Sequence, residues 1–193
     1  MGRIRVSVHP LFFAVALYFA LTGRLFVFLA FTFSAVIHEL GHSVAAERAG
    51  YRLDKVCLMP FGAVVKGDIE GLNFKDEALI FFAGPLVNIM VGTVFVATWW
   101  VFPEAYAFTD TAAFSSFAIA VVNLIPVIPL DGGRIFFALV AMKTGRKKAE
   151  RISAVVSVIF AVILFALFIL SVFYGTNVSL LFFSLIILLF DIC

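Results

Sequence analysis

The sequence predicts an all-α polytopic membrane protein of about six transmembrane helices, with a small membrane-associated β-hairpin near residues 53–67. Three observations carry that expectation. The 193 residues are 64% hydrophobic and only 13% charged, with a mean hydropathy of +1.15. Soluble domains run about 45–50% apolar and about 25% charged, and a chain this small has too little interior to hide the excess. The twenty-five Phe residues lie in long apolar runs rather than alternating with polar ones. Lys and Arg, finally, fall almost entirely on one side of those runs.

Runs able to cross a bilayer core of about 30 Å need roughly 20 helical residues. They lie at 8–22, 25–46, 78–102, 106–128, 152–174 and 177–191. The first and last are short and need support from neighbours or a locally thinner bilayer. Gly23 and Arg24 leave so little chain between the first two that these form a tight helical hairpin. The basic, then apolar, start has the look of a signal peptide. It is expected to be retained, because no small-x-small site precedes Arg24 and cleavage would discard half of the hairpin.

Orientation follows from the basic residues. With the N-terminus inside, the inner segments carry Arg3 and Arg5, then Arg48, Arg52, Lys55, Lys66 and Lys75, then Arg134, Lys143, Arg146, Lys147, Lys148 and Arg151. Only Arg24 is left outside. Both termini are therefore expected on the cytosolic side of the cell membrane. Segment 51–77 differs in kind, with β-branched residues, a Pro60-Phe61-Gly62 turn signal and spaced charges. It reads as a short hairpin at the membrane face or as an irregular amphipathic linker. Cys57 and Cys193 make no disulfide framework, and Cys57 falls on the side where thiols stay reduced. No internal repeat or low-complexity tract interrupts the chain, which reads as a single domain.

The second run contains Val36-Ile37-His38-Glu39-Leu40-Gly41-His42. Histidines four apart share one helical face, and this is the H-E-x-x-H arrangement. Neutral imidazole suits Zn²⁺, and a catalytic zinc keeps three protein ligands with one position open. Glu39 is placed to take a proton from the attacking water. Ionisable groups at membrane depth cost on the order of 2.5–3.5 kcal/mol each, which argues against an idle role. Thirteen residues separate Leu25 from His38, about 20 Å of helix, so His38 lies roughly 10 Å beneath the inner face of a core about 30 Å thick. His9, before Pro10, reads instead as an interfacial anchor.

A third ligand is needed, and Asp131 is the acidic residue beside an apolar run at a similar depth, in Asn123-Leu124-Ile125-Pro126-Val127-Ile128-Pro129-Leu130-Asp131-Gly132-Gly133-Arg134. A turn with Asp131 capping the next helix is the alternative. Pro126 and Pro129 prevent a regular helix here, and irregular backbone at this depth is tolerated only beside protein or a water-filled cavity. Asn123 reads either as a donor to a substrate carbonyl and its oxyanion or as an interhelical hydrogen-bonding group. Gly84-Pro85 breaks the third run, where Asn88 adds another amide; close helix packing is the expectation there.

Together HELGH at 38–42, FAGPLVN at 82–88 and NLIPVIPLDGGR at 123–134 resemble the site-2 protease family of intramembrane zinc metalloproteases, over approximately residues 9–140. Within it the chain looks most like the SpoIVFB (stage IV sporulation protein FB) branch, which releases a sporulation sigma factor from its membrane-tethered pro-form. The resemblance implies one catalytic Zn²⁺ held by His38, His42 and Asp131, with Glu39 as base. It assigns Asn123, Pro126 and Pro129 to the substrate and transition-state site. It implies a membrane-tethered protein substrate within the lipid bilayer, an active site open to the cytosol, and control by a membrane-protein inhibitor or regulator. Nucleic acid is not an expected partner, and no oligomeric state is indicated. Members of that branch add a CBS domain after the last span, and neither a CBS nor a PDZ domain is expected within these 193 residues. Two other readings compete: a zinc transporter, which has no need of Glu39 as a base, and a different membrane metalloprotease such as a prenyl-protein protease, which leaves the second motif unexplained.

Overall fold

Two apolar helices, α1 (Pro10–Leu21) and α2 (Leu25–Arg48), are joined by only three residues, with Gly23 at a φ of 71°. That left-handed turn is open to glycine at no steric cost. The rings of Phe12 and Phe19 then close on Phe28 of α2, with centroids 5.1 and 5.7 Å away. This is a computed structural model, describing residues 5–8, 10–51, 53–59, 62–67 and 72–174. The expected last span at 177–191, His9 and Cys193 lie outside the described residues.

The chain divides into two compact units. The first holds α1, α2, a three-stranded sheet, the greater part of α3 (Phe74–Val101) and α4 (Tyr106–Asn123) up to Val122. In the sheet β1 (Arg5–Val8) runs parallel to β2 (Leu53–Met59), which runs antiparallel to β3 (Gly62–Gly67). Register pairs Val6 with Val56 and Cys57 with Val64. β1 falls where the sequence reading begins the first span. A four-residue basic segment carries too little periodicity to announce a strand, and its partner lies some fifty residues on.

α3 starts on a reciprocal cap. The Asp76 backbone N–H donates to Asn73 Oδ1 at 2.8 Å, and Asn73 Nδ2 donates to Asp76 Oδ2 at 2.7 Å. Asp76 and Glu77 in the first turn also suit the positive end of the helix dipole. At the far end Trp99 Nε1 donates to Thr109 Oγ1 at 2.7 Å, and the Trp99 ring meets Tyr106 edge-on, which ties α3 to the start of α4. Deeper, Ser34 of α2 shares hydrogen bonds with Ser115 and Ser116 of α4, at 2.8 and 3.0 Å, all three fully buried.

The second unit holds the first two turns of α3, α5 (Asp131–Thr144) and α6 (Arg146–Tyr174). The expected fourth span at 106–128 is corrected here: helix ends at Asn123, and the chain turns through 124–130 into α5, a separate helix. Pro126 and Pro129 lack the donor and carry the ring that a continuing helix cannot accommodate. The turn is nonetheless fixed. Val127 is fully buried against Ala161, Phe160 and Leu164 of α6, and its neighbour Ile128 takes the Ser157 hydroxyl as acceptor for its backbone N–H at 3.3 Å.

Inside and outside are exchanged relative to a soluble protein. Buried positions are mostly Ala, Ser and Gly, whereas Phe13, Leu17, Phe26, Leu29, Met90, Val94, Phe114 and Val162 are exposed. Among the described residues, four helices are long and apolar enough to cross a membrane, namely Leu25–Arg48, Phe74–Val101, Pro103–Asn123 and Arg146–Leu167, with a shorter apolar helix at Phe12–Leu21. Small residues let helix backbones approach closely where lipid supplies no hydrophobic drive to associate. Gly41 is such a point: a Cβ there would sit 2.8 Å from the carbonyl oxygen of Ala83. Gly41→Ala is expected to cost about 1–3 kcal/mol and to lower the thermal midpoint in mild detergent. Val44→Ala, on the exposed face of the same helix, should leave that midpoint nearly unchanged.

Candidate metal centre

His38 and His42 follow each other by one turn on the inner face of α2, 4% and 7% exposed. Their rings stand nearly perpendicular, at 86°, and the two Nε2 atoms lie 3.1 Å apart. Two ligand nitrogens about 2.0–2.1 Å from one tetrahedral zinc would be separated by about 3.3 Å. The imidazoles therefore present the same nitrogen to a common point at a spacing that fits such an ion. Glu39, next in sequence, is half-buried, and its backbone carbonyl accepts from Ser43 Oγ at 2.8 Å, which steadies the turn between the histidines.

α3 passes directly beneath the imidazoles at Gly84. A Cβ on Gly84 would overlap the His42 ring and stand 2.9 Å from His38 Nε2. Reading the sequence for close packing at Gly84-Pro85 found the right place but missed its partner. The signal was a glycine within a long apolar run, and nothing local says which helix it faces.

In the second unit Asp131 opens α5 and is 9% exposed. Its two successors are pressed onto the preceding turn: a Cβ on Gly132 would strike the carbonyls of Leu124 and Ile125, and one on Gly133 the backbone of Val127 and Ile128. Hydrogen bonds from Val127 N to Ile125 O, from Leu130 N to Val127 O and from Gly133 N to Leu130 O close that turn, each at 2.8–3.0 Å. Arg134 reaches back to α3, where its Nη1 donates to Glu77 Oε1 at 3.4 Å and its guanidinium lies 5.4 Å from the Phe81 ring centroid. Glu77 is largely buried, so this partner matters more than a surface pair would. Sequence reading had counted Arg134 only as an inner-side positive charge. Asn123 closes α4, and Pro126 and Pro129 occupy the turn between it and Asp131, so the expected substrate-site residues sit on one anchored segment.

Comparison with known proteins accords with these features. The description peptidase family M50 matches residues 26–108 and 100–167. The chain is 32% identical over 165 residues to Stage IV sporulation protein FB of Bacillus subtilis, covering 83% of this chain and 56% of that one. It is 34% identical over 131 residues to Zinc metalloprotease MJ0392 of Methanocaldococcus jannaschii, covering 66% of this chain and 38% of that protein. It thus spans about half or less of the length of these relatives. The solved Site-2 Protease from Methanocaldococcus jannaschii superposes with a TM-score of 0.72 at 30% identity, over 97% of this chain and 88% of that one. On its sequence, its fold and its paired imidazoles, this chain belongs to peptidase family M50, the site-2 protease family.

Proposed function

We propose that residues 1–193 act as one intramembrane protease domain, a zinc metalloprotease that cuts a membrane-tethered protein. The observation that carries this reading is the pair of buried Nε2 atoms 3.1 Å apart, flanking a glutamate on an apolar helix. His38, His42 and Asp131 are the proposed ligands, two imidazoles and a carboxylate of the kinds that hold a catalytic zinc with one position left open. Bound zinc supplies Lewis acidity for peptide hydrolysis. Glu39 takes a proton from the attacking water and returns it to the leaving amine. Asn123 directs its amide at the substrate carbonyl, with Pro126 and Pro129 holding its segment open to substrate.

The one-sided distribution of basic residues supports a chain of six spans, the last at 177–191, with both termini and the site opening on the cytosolic side. A helical substrate hides its backbone and has to unwind before it is cut. β3 lies at one edge of the sheet, and the substrate adds to that edge as a strand. The likeness to Stage IV sporulation protein FB makes a membrane-tethered pro-sigma factor of sporulation the first substrate to try. A membrane-protein inhibitor or regulator is the expected control.

Three outcomes test this reading. Glu39→Gln should keep one zinc per chain while cleavage of a membrane-tethered reporter falls about 10²–10⁴-fold; zinc transport with no cleavage in either protein would point to a transporter. His38→Ala, His42→Ala and Asp131→Ala should each lose zinc on dialysis, and Gly84→Val should weaken zinc by displacing both rings, as read by competition with a chromogenic chelator. Of Val64→Pro and Val65→Pro, the one whose backbone N–H faces away from β2 should abolish cleavage with zinc content unchanged, whereas full activity in both would remove the strand-addition step.

A further inference from the structure

Asn88 is fully buried on α3, and among the described residues neither its Nδ2 nor its Oδ1 has a hydrogen-bond partner. A carboxamide offers two donors and an acceptor, and buried polar groups in native structures are nearly always paired. An orphaned amide is therefore poor helix glue: Leu would fill the same space without the penalty. Its place in the fold is specific. Asn88 is one turn beyond Gly84, on the same face of α3, and Gly84 is the residue over which the His38 and His42 rings lie. Helical side chains lean toward the N-terminal turn, so the carboxamide leans toward the imidazole pair.

We propose that Asn88 is a substrate-contacting residue, whose carboxamide pairs with the backbone N–H and C=O of one residue of the unwound segment when that segment enters beside the imidazoles. The match is chemical, since the N–H and C=O of one extended residue point to the same side and offer one donor and one acceptor, the complement of the Asn side chain. In the form described no solvent reaches these amide atoms, so the pairing requires α3 to give way locally. Pro85 provides the place. It cannot donate to the carbonyl of Phe81, so the helix lacks a rung within one turn of Asn88. The resting enzyme thus holds an unsatisfied group whose partners arrive with substrate. This rests on the protease reading above.

The test uses the full chain in lipid nanodiscs and a reporter of one apolar span joined to a fluorescent domain. The reporter is one that the unsubstituted enzyme cuts and Glu39→Gln does not; if no such reporter exists, the protease reading fails and this proposal with it. Asn88→Leu should keep one zinc per chain and a thermal midpoint equal to or above that of the unsubstituted protein, while kcat/KM falls at least tenfold. A lower midpoint with zinc lost in parallel would make Asn88 a structural residue and overturn the proposal, as would unchanged kcat/KM. Asn88→Ser holds a water but is too short to meet both the N–H and the C=O of a substrate residue, so it should fall as far as Asn88→Leu. Recovery to within twofold of the unsubstituted enzyme would mean that the partner is water, and would likewise overturn it.

Discussion

An imidazole pair cannot be carried into a bilayer for nothing. The cost of placing polar rings at that depth is recovered only if their nitrogens find a common partner, and the local build of α2 and α3 follows from bringing them together. Histidines one turn apart stack their Nε2 atoms toward one point. A facing helix then has to pass close enough to wall off that point without blocking it. Gly84 does so by having no side chain at all. Any larger residue would convert the opening into packing.

A second device concerns the segment that starts α5. Aspartate at a loop end is ordinarily mobile, and Asp131 is held still. Here the two glycines after Asp131 let α5 seat directly on the carbonyls of the turn before it, while the Arg134–Glu77 pair fastens the same turn to α3. Val127 and Ile128 tie the turn to α6 in addition. Precision therefore comes from backbone contact and one partly buried ion pair, not from a large hydrophobic core.

Much of this was legible in the amino-acid order because lipid imposes a simple code. Long apolar runs announced α2, α3, α4 and α6 to within a few residues at most ends, and the H-E-x-x-H spacing announced the imidazole pair. Where the code is local it works; where geometry depends on a remote partner it is silent. The strand at Arg5–Val8 is defined by pairing with β2, and four residues do not record that. The end of α4 at Asn123 was overrun because Leu124 to Ile128 is as apolar as the helix before it, although two prolines stood in plain view. The roles of Gly84 against the histidines and of Glu77 beneath Arg134 are facts of packing between helices, and composition holds no trace of them.

The exchange of large residues to the outside and small ones to the inside has an evolutionary corollary. In a water-soluble enzyme the interior resists change because it is greasy and shaped, while the exterior drifts. In this protein the exterior is constrained only to remain oily, so its phenylalanines, leucines and valines are free to replace one another. The small buried positions have no such latitude: a Cβ added at Gly41, Gly132 or Gly133 would meet another stretch of backbone. Divergence among relatives should accordingly concentrate in the bulky residues, and common ancestry should persist longest in the smallest.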